Sequence, residues 1–212
     1  MALTVRSLLP KVLPFRKDLL EDDAIFAIQE AVRKICRQTQ YAQSIVSAST
    51  VAHTATVNIS SLVTTGTVLR VHRVRRLDTT ISAYRTLEPV NFEDAATTRY
   101  RDYNEGAPDW WTYKGGSILE LYPKPDTIYM LEVTVSYVPD TEIDTIPLPD
   151  EAEDAIVAGA LASLLLRPGV GQNIALSKDR EVLYNREADA LKASAMFGQT
   201  SKSRATGGPA WR

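Results

Sequence analysis

Residues that could carry catalysis are scarce in this chain. His53 and His72 are its two histidines, and neither lies at a recognised spacing from a nucleophile or from further metal ligands. The sequence has no nucleophile elbow, phosphate loop or H-E-x-x-H motif. Gly169-Val-Gly171 follows a helical pattern, whereas a dinucleotide-binding loop follows a strand. We therefore expect no enzyme activity, no catalytic residue, no metal site and no cofactor, and we interpret both histidines as structural.

Acidic residues are concentrated between positions 140 and 154: Asp140, Glu142, Asp144, Asp150, Glu151, Glu153 and Asp154. A cation site or a docking patch for a basic partner is one interpretation. Their spacing matches no calcium loop, however, and acidic side chains stabilise helix N-termini. We favour this second role for Asp150, Glu151, Glu153 and Asp154, with the others in a solvated loop.

A basic cluster comprises Arg70, His72, Arg73, Arg75 and Arg76. Strand alternation would place Arg70 and His72 on one side and Arg73 and Arg75 on the other, so no single basic stripe is expected. One interpretation is a solvated edge strand whose charges discourage pairing. The alternative is contact with DNA or with an acidic surface of a neighbouring subunit, through Arg70, Arg73, Arg75 and Arg76.

Composition restricts the class of protein. The chain has 212 residues, 44% of them hydrophobic and 24% charged, with a net charge of −2. These are globular values, and the charge argues against a generic nucleic-acid binder, which neutralises many phosphates. The single cysteine, Cys36, fits synthesis in a reducing compartment. Charges and prolines interrupt the N-terminal apolar residues, so we expect no signal peptide, no membrane association and synthesis in the cytoplasm.

Apolar spacing predicts three helices, over Asp22–Thr39, Asp150–Arg167 and Ala175–Phe197. The second of these is apolar nearly all round in its latter half, which predicts the central helix of a bundle.

Between the first and second helices, residues 43–138 have β-like sequence. Strict alternation marks Thr127–Val138 as the best strand, and Ser117–Tyr122 is its predicted partner across a proline-containing turn. Val51–Ile59 and Val68–Arg75 are further predicted strands.

These elements predict an α+β protein. We expect a three-helix bundle formed by residues 1–40 and 149–197, an inserted antiparallel β-rich lobe at 41–148, and a flexible C-terminal arm at 198–212.

The arm has a distinctive composition. It contains no acidic residue, three glycines and three basic residues, Lys202, Arg204 and Arg212. Such a segment is expected to be disordered alone, and fully extended it would span roughly 50 Å. Trp211, close after Pro209, is a large aromatic side chain of the kind that anchors a flexible segment in a partner pocket.

Several segments in sequence order resemble head-to-tail adaptor (connector) proteins of tailed bacteriophages. They are Gly106-Ala-Pro-Asp-Trp-Trp111, Gly115-Gly-Ser-Ile-Leu119, Tyr122-Pro-Lys-Pro-Asp126, the strand from Tyr129 to Tyr137, and Ile146-Pro-Leu-Pro149. An alanine-rich helix, a turn, a second helix and a loose C-terminal arm follow, as in that family. The resemblance extends from about residue 20 onward.

The resemblance implies a structural virion protein at the head–tail junction. Such adaptors form a ring, usually of twelve copies, beneath the portal protein. The arm reaches along or into the portal, the lobe faces outward or toward a tail or nozzle protein, and the genome DNA passes through the channel. In this chain, portal binding would fall to Lys202, Arg204, Pro209, Trp211 and Arg212, while helix faces would pack against neighbouring copies.

Other functions stay open at the level of sequence. The chain could be a tail-completion or neck protein at another position in the particle. It could also be a nucleic-acid-binding module that uses the Arg70–Arg76 cluster, or an enzyme with a pocket between bundle and lobe.

Overall fold

The computed structural model describes residues 3–16, 18–91 and 105–204, apart from the side chains of 196–204. The chain divides into two compact units. Unit 1 is formed by Met1–Ala42 and Pro139–Arg212, and unit 2 by Gln43–Val138. Unit 1 is mainly helical and unit 2 is mainly built of strands.

The described part of unit 1 contains four α-helices: α1 (Val5–Val12), α2 (Glu21–Thr39), α3 (Glu153–Leu166) and α4 (Ile174–Arg204). An α+β class agrees with the structure, but the prediction of a three-helix bundle is wrong, because α1 is a further helix that packs against α2 and α3.

Helix α1 has a local sequence that explains why it forms. Thr4 caps it, accepting a hydrogen bond from the Ser7 amide at 3.2 Å, while the Ser7 hydroxyl accepts one from the Thr4 amide at 3.3 Å. Its buried residues share one face: Val5, Leu8, Leu9 and Val12. This spacing is helical, but Pro10 lies inside the helix, and because an internal proline disfavours a helix the apolar spacing was not recognised as one in the sequence.

Helix α3 is the central helix of unit 1, in contact with α1, α2 and α4. Seven of its fourteen residues are buried, and they occupy most of its circumference. Gly159 lets α4 approach closely, since a Cβ at this position would lie 2.8 Å from a ring carbon of Tyr184. A larger side chain would therefore separate α3 from α4.

The C-terminal end of α3 is held by the buried side chain of Arg16. Its Nη1 atom donates to the carbonyl oxygens of Leu164 at 2.6 Å and of Arg167 at 3.0 Å. Its Nε and Nη2 atoms each donate to a carboxylate oxygen of Asp18 at 2.8 Å. The guanidinium thus adds charged donors to two carbonyls at the end of the helix, of which that of Leu164 also accepts from the Arg167 amide at 3.2 Å.

Helix ends differ modestly from the predicted ones. Helix α2 begins at Glu21, and a short 3-10 turn, Asp150–Ala152, precedes α3. The last helix continues to Arg204, beyond the predicted end at Phe197.

Unit 2 contains ten strands among the described residues. They are β1 (Gln43–Ser49), β2 (Thr56–Asn58), β3 (Gly66–Asp78), β4 (Ala83–Thr86), β5 (Glu88–Pro89), β6 (Glu105–Gly106), β7 (Trp110–Tyr113), β8 (Ile118–Tyr122), β9 (Lys124–Pro125) and β10 (Met130–Pro139). The described strands form a sheet of order β1-β10-β3-β4, a second of order β2-β8-β7-β5, and a short pair β6-β9.

The predicted pairing of the best strand is wrong. β10 lies between β1 and β3, whereas β8 lies between β2 and β7 in the other four-stranded sheet. The proline-containing link therefore carries the chain from one sheet to the other rather than closing a hairpin. The predicted strand Val51–Ile59 shortens to Thr56–Asn58, and the structure adds β1 before it.

The two four-stranded sheets contribute to one hydrophobic cluster. Val46, Val74 and Val133 come from the first sheet, and Leu119, Leu121 and Trp111 from the second. One face of each sheet therefore supplies the core of unit 2, in the manner of two stacked sheets.

We predict that Arg16→Met lowers the free energy of unfolding by about 2 kcal/mol, because the carbonyls of Leu164 and Arg167 and the part-exposed Asp18 carboxylate lose a charged hydrogen-bond donor. Chemical denaturation at neutral pH measures this. Arg33→Met is the matched control: Arg33 is part-exposed and pairs with Glu30 one helical turn away, so a loss of at most about 0.5 kcal/mol is expected.

The difference in free energy of unfolding between wild type and Arg16→Met depends on pH. The Arg16 guanidinium lowers the pKa of the Asp18 carboxyl, so this pair stabilises the fold above the ordinary carboxyl pKa and ceases to do so as the pH falls through the lowered value. The difference between wild type and Arg16→Met should shrink over that acid range. A difference that is unchanged or larger in acid would contradict the pairing.

We also predict that Cys36 is unreactive in the native protein. Burial raises the pKa of its thiol to about 12, so its thiolate fraction at pH 8 is on the order of 10³ lower than that of a free cysteine. Iodoacetamide should label the chain only after denaturation. Labelling of the native chain at the rate of a free thiol would contradict this burial.

Candidate functional site

The basic cluster on β3 is divided between solvent and the protein interior. Arg70 and Arg73 are exposed. Arg75 forms an ion pair with Glu132 of β10 and lies 5.2 Å from the ring centroid of Tyr84. Arg76 is only 5% exposed, 3.9 Å from an oxygen of Asp109 and 5.2 Å from the ring centroid of Tyr129. Arg75 and Arg76 are thus occupied within unit 2.

Alternation along β3 places Arg70 with His72 on one side and Arg73 with Arg75 on the other, and this assignment stays a prediction. Val68, Val71 and Val74 are buried at intervals of three residues. A strand with a constant period of two cannot bury this set on one face, so the alternation is interrupted within β3.

Both histidines lie in structural surroundings. His72 is half-buried, and burial together with the charge of Arg70 lowers its pKa and favours the neutral ring. The Nδ1 atom of His53 lies 2.5 Å from a carboxylate oxygen of Glu105, whose other oxygen lies 2.7 Å from Nζ of Lys124. These bonds with Lys124 and His53 lower the pKa of Glu105. Neither arrangement includes a nucleophile.

The acidic residues behave as helix-start residues and loop residues. Glu153 and Asp154 lie in the first turn of α3, and Asp150 and Glu151 in the 3-10 turn before it. Over the described ranges, no three His, Cys, Asp or Glu side chains are grouped as a metal ion would need. The acidic run therefore fits the helix-start interpretation.

A groove of about 380 Å³ opens between α2, α3 and α4. Small side chains form much of its wall, including Ala27, Ala31 and Ala162, and its charged residues are Glu30, Lys34, Arg37 and Glu181. The ammonium group of Lys34 lies 4.5 Å from the ring centroid of Tyr184 in this wall. The wall thus combines small side chains with charges of both signs.

The face of the first sheet that points away from the core is another candidate contact surface, which the sequence did not reveal. Register places Ile45, Ser47 and Ser49 of β1 opposite Thr134, Glu132 and Met130 of β10. Ile45, Met130 and Tyr84 of β4 are exposed large side chains on this face. Alternation marks Ile45 and Met130 as outward residues, but their meeting on one face requires the β1–β10 pairing.

The predicted portal-binding residues lie at the C-terminal end of unit 1. Lys202 and Arg204 are in the last turn of α4. Pro209, Trp211 and Arg212 lie outside the described residues. The backbone of α4 spans 31 residues, or about 46 Å, while α3 on which it packs spans 14, or about 21 Å.

We predict that Arg70 and Arg73 support little DNA binding. Two phosphate contacts would contribute at most about 2 to the slope of log affinity against log salt, so the double variant R70A/R73A should differ from wild type by no more than that. Titration of duplex DNA at several salt concentrations measures it. A further fall of about 2 in the slope when R75A and R76A are added would mean that Arg75 and Arg76 leave their partners for phosphates, and would restore the nucleic-acid hypothesis.

In the parts of the chain that the structure describes, no helix is both long enough and apolar enough to cross a bilayer.

The family model of the SU10 adaptor protein matches residues 3–210, nearly the whole chain. No individual protein with a curated description matches it. The chain therefore belongs to the SU10 adaptor protein family, a phage adaptor family, and the resemblance to head-to-tail adaptors is confirmed. It is a structural adaptor of a phage virion.

Proposed function

We propose that copies of this chain form a ring beneath the portal and join the portal to a tail or nozzle protein, with the genome passing through the ring. The observation that carries the proposal is membership of a phage adaptor family over residues 3–210. The adaptor role has no need of catalysis, and the groups described above fit contact surfaces.

In this proposal the C-terminal segment anchors each copy to the portal. The segment 198–212 has basic residues and no acidic ones, and its first part, up to Arg204, is the end of α4. Helix α4 is about 25 Å longer than α3, the helix on which it packs. Such a helix can carry its end away from the core of unit 1. Residues 205–212 could then extend roughly 28 Å further.

A short segment of this kind binds weakly by itself, because it loses conformational freedom on binding. Copies joined in a ring present their segments together. The resulting effective concentration can raise the avidity by roughly 10² to 10⁴ without new contacts. A ring would thus convert weak single anchors into stable attachment.

A near-neutral protein is suited to passage of DNA. The net charge is −2, and the pairing of Arg75 and Arg76 within unit 2 leaves Arg70 and Arg73 as the exposed arginines of the β3 cluster. Weak affinity for the duplex would let the genome move through the channel without being retained.

We predict that deletion of residues 205–212 abolishes stable attachment to portal rings while the chain stays folded, since the described part of α4 ends at Arg204. Trp211→Ala should weaken attachment by about 30-fold if the indole is the main anchor. Lys202→Ala with Arg204→Ala should weaken it in a salt-dependent manner. Co-sedimentation with portal rings measures all three.

The matched control is Arg186→Ala with Lys192→Ala, which removes two exposed cations from the described part of the same helix. Attachment of this variant should equal that of wild type. If the deletion variant attaches as well as wild type does, the C-terminal segment is not the anchor.

A different position in the particle is the rival within the structural class. A tail-completion or neck protein would bind the end of purified tails and leave portal rings unoccupied. The same sedimentation experiment, repeated with tails, separates the two positions.

A further inference from the structure

In the described part of unit 2, the first sheet ends in two strands, each with one side along which no described strand is paired. Its order, β1-β10-β3-β4, places β1 and β4 at opposite edges. Among the described residues, neither strand makes a backbone hydrogen bond beyond its ladder with β10 or β3. The turn Ser60–Leu62 lies near β1 but makes no such bond to it.

The composition of β1 gives its edge no protection. Gln43-Ser-Ile-Val-Ser-Ala-Ser49 contains no charged residue and no proline, which are the usual means of preventing edge pairing. Ile45 on this strand is 59% exposed. A seven-residue edge strand with no charged residue and no proline is an expected site of strand addition.

In the antiparallel ladder of β1 and β10, hydrogen-bonded and non-hydrogen-bonded pairs alternate, and this alternation identifies which backbone groups of β1 point outward. The Thr50 amide donates to the Tyr129 carbonyl at 2.9 Å, which makes this a hydrogen-bonded pair in the register of the ladder. Alternate pairs are hydrogen-bonded in an antiparallel ladder, so Ala48, Val46 and Ser44 also face β10. The amides and carbonyls of the remaining residues point outward: Gln43, Ile45, Ser47 and Ser49.

The same argument applies to β4. The Leu87 amide donates to the Val74 carbonyl at 2.9 Å, in register with Arg76 opposite Arg85 and Asp78 opposite Ala83. Tyr84 and Thr86 therefore point their amides and carbonyls outward. On β4, as on β1, every second residue therefore offers its amide and carbonyl to a strand that could pair with the edge.

We propose that the β1 edge of one copy pairs with the β4 edge of a second copy, so that the sheet continues from copy to copy. The two edges are different surfaces on opposite sides of one sheet, so the contact is head-to-tail, the kind that can close into a ring. Pairing of β1 with β1 would instead end at a dimer. The inference rests on the proposed ring and names the surface that would join its subunits.

The side chains beside these edges suit such a contact. Ile45 and Tyr84 are both exposed and both lie on the sheet face that points away from the core. When the strands pair, neighbouring side chains on one face come within contact distance. An aliphatic and an aromatic side chain would then be partly removed from water.

The test uses Ser47→Pro and Tyr84→Pro, each of which removes one outward amide and leaves the internal ladder intact, as proline on an edge strand allows. Ser47→Ala and Tyr84→Ala are the matched controls, since they keep the amide. Circular dichroism and thermal unfolding verify folding. Native mass spectrometry measures the number of copies in each assembly. If the wild-type chain forms no assembly alone, the same measurement is made in the presence of portal rings.

Each proline variant should lose assembly beyond one copy, and each alanine control should keep it. An equimolar mixture of the two proline variants should give dimers and nothing larger, because one intact β1 edge and one intact β4 edge remain. Dimers of Tyr84→Pro alone would show β1–β1 pairing and overturn the proposal. So would rings of either proline variant, or a mixture that stays monomeric.

Hydrogen exchange on the wild-type chain covers the case in which a proline variant fails to fold. Assembly should slow exchange of the amides of Ile45, Ser47 and Tyr84, and unchanged exchange would overturn the proposal. The outcome is separable from that of the portal experiment. Failure to bind portal rings would refute the proposed position of the ring, whereas rings formed without these edges would refute only this contact.

Discussion

Helix α3 has almost no polar side in its second half, and the arrangement of unit 1 follows from this constraint. A helix that is apolar all round must be covered on most sides. Helices α1, α2 and α4 cover it, and the buried guanidinium of Arg16 satisfies the carbonyls at its C-terminal end. The side of α3 at the groove beside α4 is only partly covered, and Ala162, Ser163 and Leu166 line it there.

In unit 2 the corresponding constraint concerns charge. β3 carries four arginines and belongs to a sheet that covers a hydrophobic core with one face. Arginine side chains need hydrogen-bond or ion-pair partners when they are buried. Arg75 finds Glu132, and Arg76 lies near Asp109 and Tyr129. Half of a cluster that looks basic in the sequence, Arg75 and Arg76, is therefore engaged within unit 2, while Arg70 and Arg73 are exposed.

Local patterns allowed the sequence to predict α2, α3, α4 and the strands β3, β8 and β10 with small errors at their ends. Two features depend on more than local pattern. Helix α1 was missed because Arg6 and Pro10 interrupt an otherwise helical spacing. The partner of β10 was wrong because adjacency along the chain does not determine sheet order, and here the chain changes sheets after β8. The outer sheet face, with Ile45, Met130 and Tyr84, follows from that order and so could not be predicted.

The most direct test of the adaptor account is an electron cryomicroscopy reconstruction of the head–tail junction of the virion. We predict a closed ring of this chain between portal and tail, with the end of α4 directed at the portal and DNA density along the axis. A reconstruction in which the chain lies elsewhere in the particle, or occupies the junction without touching the portal, would contradict the account.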